Sequence, residues 1–282
     1  MRILDLPSEL LLLIAENLAI KDLFRFRSSS QRLSSLLTPL FYDALLGVST
    51  STTLQWAATY GHAPLAELAI LRGADAGARD LNRFAEAPLH LAATYNCPDV
   101  IRILVKHGAS TSTRDDDNNT PLHTAAAHQS QQAVRVLLEL GASMKHEDMW
   151  LETAVKISAL SGDVDSMRAF VDAGLDFDLR DSLGETILHN GVFGGKKMVE
   201  FLLERGGEKL VNERNIASQT PLHLAARKDA EIIKLLVCHG ADTEVKDCKG
   251  LTPIDCAVKW GTDLSARALL ECRVNTSGRI NL

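Results

Sequence analysis

The chain has 282 residues, 46% hydrophobic and 23% charged, with a formal net charge of −6. This is the composition of a folded globular chain, and its mild acidity gives no electrostatic reason to bind nucleic acid or an anionic membrane. Five cysteines (Cys97, Cys238, Cys248, Cys256 and Cys272) lie in no Cys-x-x-Cys spacing. They read as reduced thiols of a cytoplasmic or nuclear protein, not as a disulfide frame or a zinc site. No metal or cofactor is expected.

The first 46 residues carry five acids and five bases and are neutral. The run Leu10-Leu11-Leu12-Leu13-Ile14-Ala15 falls short of the ~20 apolar residues of a membrane span. Asp5, Pro7 and Glu9 before it and Glu16 after it are wrong for a secretory signal, which wants a basic start. Leu10, Ile14 and Leu18 stand at i, i+4 and i+8, with Leu13 beside them. That spacing predicts an amphipathic helix. Asp22 predicts the cap of a second helix beginning at Leu23. A third is expected from Arg32, and a last turn at Leu40-Phe41 after Pro39.

The ordered set Leu6-Pro7-x-Glu9-Leu10, Ile14, Leu18, Asp22-Leu23, Phe26-Arg27 and Arg32-Leu33 resembles the F-box family. The family's usual Cys-Lys-x-Trp-like stretch is Ser29-Ser30-Gln31-Arg32-Leu33 here. The resemblance implies a helical docking module for the Skp-type adaptor of cullin-RING ubiquitin ligases. Leu6, Pro7, Glu9, Leu10, Ile14, Leu18, Leu23 and Leu33 are the expected adaptor-binding residues. Size agrees in kind, since a helical segment of about 44 residues cannot bury all its apolar residues alone. The alternative is that the same residues cap the array that follows, packing on Leu54, Trp56 and Leu65.

From residue 52 onward the sequence repeats. Thr120-Pro121-Leu122-His123 returns as Thr220-Pro221-Leu222-His223, and copies start at Ala87, Thr120, Thr153, Thr186, Thr220 and Thr252. The steps are 33, 33, 33, 34 and 32 residues, and a weaker copy begins near Thr52. Each Thr-Pro pair predicts a short helix, capped by Thr and opened by Pro, whose missing N–H would have had no partner. Ala57-Ala58, Ala92-Ala93, Ala125-Ala126 and Ala225-Ala226 would let neighbouring helices approach closely. Nine residues after each opening position stands a turn residue: Gly61, Asn96, Gln129, Gly162, Gly195, Asp229 or Gly261. A left-handed backbone is expected there. A second helix then carries an apolar stripe, such as Val100, Ile101, Ile103, Leu104 and Val105. Its expected stops are Gly73, Gly108, Gly141, Gly174, Gly207 and Gly240.

This period and motif resemble the ankyrin family over about residues 52–272. The implied fold class is all-α: a small helical F-box-like module, then an ankyrin-repeat solenoid of about seven repeats with hairpin loops. The expected domains are 1–46 for the F-box-like module, 47–51 for a linker, 52–272 for the repeats and 273–282 for a tail. His90, His123, His189 and His223 recur once per repeat. Helices pack ~8–10 Å apart, so these rings cannot converge on one metal ion. Each is expected to bond nearby backbone and order its hairpin.

Residues that vary between repeats carry the candidate target-binding surface. The hairpin tips are Arg83-Phe84, Asp116-Asp117, Met149-Trp150, Ser182-Leu183, Ile216-Ala217 and Cys248-Lys249. Phe84 and Trp150 stand out, because aromatic residues are enriched in binding hot spots, and Met149 beside Trp150 is a further target-binding candidate. The alternative is that each ring folds back onto its neighbour. Asp116 and Asp117 belong to the acidic tip Asp115-Asp116-Asp117, which reads either as a docking point for a basic segment or as a solvated loop. The inner-helix ends add Tyr60, Tyr95, His128, Phe193, Arg227 and Trp260. Tyr60 and Tyr95 share a slot in successive repeats and are candidates for an aromatic pair. Leu151 stands where Gly184 and Gly250 stand in other fingers, and the segment from Gly206 to Glu213 is longer than its counterparts. Both are expected to be irregular and to bear on specificity.

Two functions follow. One is the substrate-recognition subunit of an SCF-type ubiquitin ligase, docking the adaptor at its N-terminal module and a protein target on its repeats. The other is an ankyrin-repeat scaffold or inhibitor whose N-terminal helices only cap the array. The sequence has no Gly-rich phosphate loop, no metal-ligand cluster and no nucleophile elbow, so catalysis by this chain is not expected.

Overall fold

The computed structural model describes residues 50–79, 85–150 and 152–277. The helices and docking residues expected within residues 1–46 lie outside the described residues, as do Arg83, Phe84 and Leu151. The described residues fall into two compact units that divide between Ser110 and Thr111. Both are built from pairs of short antiparallel helices.

The first unit contains α1 (Thr50–Tyr60), α2 (Ala63–Leu71), α3 (Pro88–Thr94) and α4 (Pro98–Lys106). Within it α1 packs on α3 and α2 on α4, giving an inner and an outer layer. The alanine pairs Ala57-Ala58 and Ala92-Ala93 are completely buried. With no side chain beyond Cβ, they let the inner helices come close.

The second unit continues with α5 (Pro121–Ala127), α6 (Gln131–Glu139), α7 (Ala154–Ser161), α8 (Val164–Asp172), α9 (Ile187–Gly194) and α10 (Lys196–Glu204). Then come α11 (Pro221–Ala226), α12 (Ala230–Cys238), α13 (Pro253–Trp260) and α14 (Asp263–Ser277). Here α5, α7, α9, α11 and α13 stack as the inner layer, and α6, α8, α10, α12 and α14 as the outer. Leu122, Leu188 and Leu222 occupy one slot of the inner helices α5, α9 and α11 and are fully buried. Burying a leucine stabilises by about 1.5–3 kcal/mol, but only once a neighbouring repeat covers it. The only β-pairing among the described residues is the isolated bridge between Glu147 and Thr153.

The histidines do as their spacing implies. His123 Nδ1 accepts the Thr120 N–H at 3.2 Å, so the ring proton sits on Nε2, which donates to the Glu152 carbonyl at 3.1 Å. His189 joins the Thr186 N–H to the Gln219 carbonyl, and His223 joins Thr220 to Leu251, in the same way. Each ring therefore pins an inner helix to the hairpin that follows. Burial pushes all three imidazoles below the ordinary histidine pKa of 6.5, although their carbonyl bonds oppose it.

Three backbone expectations change. The turn slot is left-handed at Gly61, Asn96, Gln129, Gly162 and Gly195 but not at Asp229 or Gly261. Asp229 has φ −148° and caps α12 by accepting the Glu231 N–H. Gly261 has φ −92°. Its glycine answers a close approach instead, since a Cβ would lie 2.4 Å from the Ala226 carbonyl oxygen. The stop after α10 is Gly206 (φ 112°), whereas Gly207 opens a 3-10 helix, Gly207–Leu210. The longer segment there is folded inward, with Leu210 and Val211 buried, and is not an open loop.

Candidate functional site

The hairpin fingers of the second unit are held by one recurring side chain. Asp148 Oδ1 accepts the N–H groups of Trp150 and Glu152, at 2.8 and 2.9 Å. Asp181 does the same for Leu183 and Glu185, Asn215 for Ala217 and Gln219, and Asp247 for Lys249 and Leu251. Asp115 takes this role in its finger by accepting from Asn119 N–H at 2.8 Å. Of the acidic tip, Asp115 is thus a scaffold residue, Asp116 is exposed and Asp117 half-buried. Three residues beyond the organiser the chain turns left-handed, at Asn118, Gly184, Ser218 and Gly250. This Asp/Asn slot stands in the sequence at a fixed offset before each opening Thr, a signal apart from the Thr-Pro-Leu-His motif.

Neighbouring fingers are stitched together. Arg114 donates to the Asn118 and Glu147 carbonyls, and Arg180 to those of Gly184 and Arg214. The Met149, Ile216 and Cys248 N–H groups reach the carbonyls of Asp117, Leu183 and Ala217. The tips are thus tied in two groups, 115–119 with 148–152, and 181–185 with 215–219 and 247–251, and together they make up a platform.

The platform carries exposed apolar side chains. Trp150 is 62% exposed and Met149 55%, so the indole stands in solvent and does not fold back. Leu183 and Ile216, 49% and 70% exposed, extend the same row of tips. They were not singled out in the sequence because aliphatic residues carry no hot-spot signal.

At the inner-helix ends the candidate rings have company. Phe193 lies under Lys228 Nζ at 5.2 Å, and that ammonium also donates to the Phe193 carbonyl. Arg227 and Lys259 lie over the Trp260 ring, at 5.4 and 4.7 Å from its centroid. His128 is exposed and its Nδ1–H donates to the Thr124 carbonyl at 2.9 Å, leaving Nε2 outward. In the first unit Tyr60 and Tyr95 are both more than half exposed. Tyr60 stacks on Trp56 of its own helix, ring centroids 4.6 Å apart.

The repeat opening at Thr153 departs from its neighbours. Lys156 fills the histidine slot and reaches Asp181 Oδ2 at 3.0 Å and Glu152 Oε1 at 3.5 Å. A cavity of about 170 Å³ opens beside it, lined by residues between Met144 and Lys156 and between Leu175 and Asn190. No group of three or more His, Cys, Asp or Glu able to hold a metal occurs among the described residues.

A family model for ankyrin repeats (3 copies) matches residues 54–148 and 207–278. The chain belongs to the ankyrin-repeat family. The F-box domain model matches residues 3–40, which makes this an F-box protein with ankyrin repeats. Both are typically non-enzymatic interaction modules, and together they make the chain a protein-interaction adaptor. The human ASB11 ankyrin repeat domain is similar with a TM-score of 0.68 and 26% identity, over 78% of this chain and 96% of that one. The ankyrin repeat domain of Bcl-3, a member of the IkappaB protein family, gives 0.66 at 26% identity, over 77% of this chain and 97% of that one. A putative ankyrin repeat protein of Rickettsia felis is 33% identical over 35% of this chain and 48% of its own length. NF-kappa-B inhibitor alpha of Gallus gallus is 36% identical over 31% of this chain and 29% of its own length. This chain thus spans half or less of these two curated relatives. Among the described residues no helix is long and apolar enough to cross a membrane.

Proposed function

We propose that this chain is the substrate-recognition subunit of an SCF-type ubiquitin ligase. The observation that carries the reading is the pairing, in one chain, of an F-box match at residues 3–40 with ankyrin repeats. The F-box segment docks a Skp-type adaptor through Leu6, Pro7, Glu9, Leu10, Ile14, Leu18, Leu23 and Leu33. The repeats hold a protein target, with the platform around Met149 and Trp150 and the inner-helix ends as its contact surface. The chain performs no chemistry itself. It places the target near the ligase, and proximity supplies the rate. It works in the cytoplasm, the nucleus or both.

Co-purification with a Skp-type adaptor tests this, beside a Leu6→Ala/Pro7→Ala double variant. The wild type retains the adaptor and the variant, with an unchanged melting curve, loses it. A folded wild type that retains no adaptor overturns the reading and leaves an ankyrin-repeat scaffold or inhibitor, the kind of protein that NF-kappa-B inhibitor alpha is named for.

A further inference from the structure

We propose that the cavity between the 144–156 and 175–190 segments receives one basic side chain of the bound target, arginine in preference to lysine. The inference rests on the reading of the repeats as the target-holding part of the chain.

The charges that line the cavity are not equivalent. Lys145, Lys156 and Arg180 face Glu147, Asp176, Asp181 and Glu185. Two of the cations are already engaged: Lys156 by Asp181 and Glu152, and Arg180 by Glu213 and two backbone carbonyls. Among the acceptors Asp181 is engaged by two N–H groups and Lys156, whereas Glu185 is less well served. Glu185 is half-buried and receives a long hydrogen bond from Asn215 Nδ2, at 3.5 Å. Burial, and then the charge of Asp181, hold its carboxyl above the ordinary glutamate pKa. Asn215 and the charge of Lys156 offset this only in part, so a further cation would stabilise the carboxylate.

Asn190 supplies an independent sign. It lines the same cavity and is only 3% exposed. Its Nδ2 donates to the Thr186 carbonyl at 3.4 Å, which fixes the orientation of the amide. Its Oδ1 is buried with no hydrogen-bond partner among the described residues. A buried acceptor without a donor is costly and calls for an explanation. A donor arriving with a ligand provides one once the Asn190 side chain turns toward the cavity it lines, since its oxygen has no exposed surface in this structure.

The shape fits the same ligand. Val155, Leu175, Leu179 and Ile187 give the cavity an apolar wall, suited to the aliphatic stem of a long basic side chain. A guanidinium offers several N–H donors in a planar fork, enough for a carboxylate and an amide oxygen together. The ammonium of lysine carries the same charge without the fork. A norleucine side chain fills the same space without charge or donor.

These three chemistries make the test. The full chain is titrated by NMR with N-acetyl-arginine amide, N-acetyl-lysine amide and N-acetyl-norleucine amide. The arginine probe gives saturable shifts at the Asn190 side-chain amide and at the Val155 and Ile187 methyls. The lysine probe binds more weakly and the norleucine probe gives no saturable shift. Glu185→Gln keeps an oxygen for Asn215 and lowers the arginine affinity about tenfold or more, the scale of a lost charged hydrogen bond. Should that variant fail to fold, the three probes on the wild type decide the matter. Equal shifts from norleucine and arginine, or none from arginine on the folded chain, overturn the inference. Adaptor retention is measured on the same samples. Adaptor capture without arginine binding removes the pocket and leaves the receptor. Arginine binding without adaptor capture does the reverse.

Discussion

Lys156 Nζ lies 3.0 Å from Asp181 Oδ2, an ion pair that replaces the histidine-to-carbonyl hydrogen bond of the regular repeats. Both side chains are largely buried, at 16% and 11% exposure. Lys156→Ala strips the pair from Asp181, an organiser of the adjoining finger. The expected cost is about 1–3 kcal/mol, from the charge left behind. Urea unfolding of variant and wild type measures it. A midpoint unchanged by the substitution would show that the pair contributes nothing net.

The buried histidines give the fold a pH dependence of defined sign. His123, His189 and His223 have pKa values lowered from 6.5 in the folded chain, chiefly by burial. The unfolded chain therefore binds more protons below that pH. Their contribution to stability is complete above about pH 6.5 and declines as the pH falls toward the folded pKa values. Asp181 and Asp247 also have lowered pKa values, in spite of burial, through the N–H groups they accept. Their loss begins lower, below the ordinary 3.8. Urea midpoints at a series of pH values separate the two windows. Replacing the three histidines by Gln flattens the upper one and leaves the lower.

Glycines in this fold are demanded for two different reasons, which substitution separates. Gly174 has φ 89° and open space where a Cβ would stand. Gly174→Ala meets only the left-handed penalty, about 1–2 kcal/mol. At Gly194 a Cβ would stand 2.1 Å from the Ala159 carbonyl oxygen of the preceding repeat. Gly194→Ala must push two inner helices apart, and about 3 kcal/mol or more is expected. Thermal unfolding ranks the pair. A smaller loss at Gly194 than at Gly174 contradicts the packing described.

What was legible in the sequence follows from what repeats. The role of His123 was readable because His189 and His223 recur at the same offset, so one local geometry had to serve all three. Gln129 takes φ 53° although its residue type disfavours it, because the slot and not the side chain sets the backbone. Asp229 and Gly261 share that slot by count, yet one serves as a side-chain cap and the other leaves room for a neighbouring carbonyl. Those are three-dimensional facts. The cavity beside Lys156 was hidden for the same reason. Thr153-Ala154-Val155-Lys156 departs from the Thr-Pro-Leu-His motif, but the space left by unlike neighbours appears only after stacking.

Trp150 separates binding from stability. Its ring is 62% exposed, while its own N–H is fixed by Asp148 Oδ1 at 2.8 Å. That bond uses the backbone and survives Trp150→Ala. Stability should therefore stay within about 0.5 kcal/mol of wild type, as for surface positions generally. An exposed indole on a stitched platform loses little entropy on binding, so its truncation at an interface costs about 2 kcal/mol or more. The expected result is a variant that melts like wild type and still retains the adaptor. The proteins it co-purifies from cells, quantified by mass spectrometry, fall by tenfold or more for those that use the platform. If every co-purifying protein is retained at wild-type level, the tips are not where this chain holds its targets. The inner-helix ends around Arg227 and Trp260 would then be the next surface to truncate.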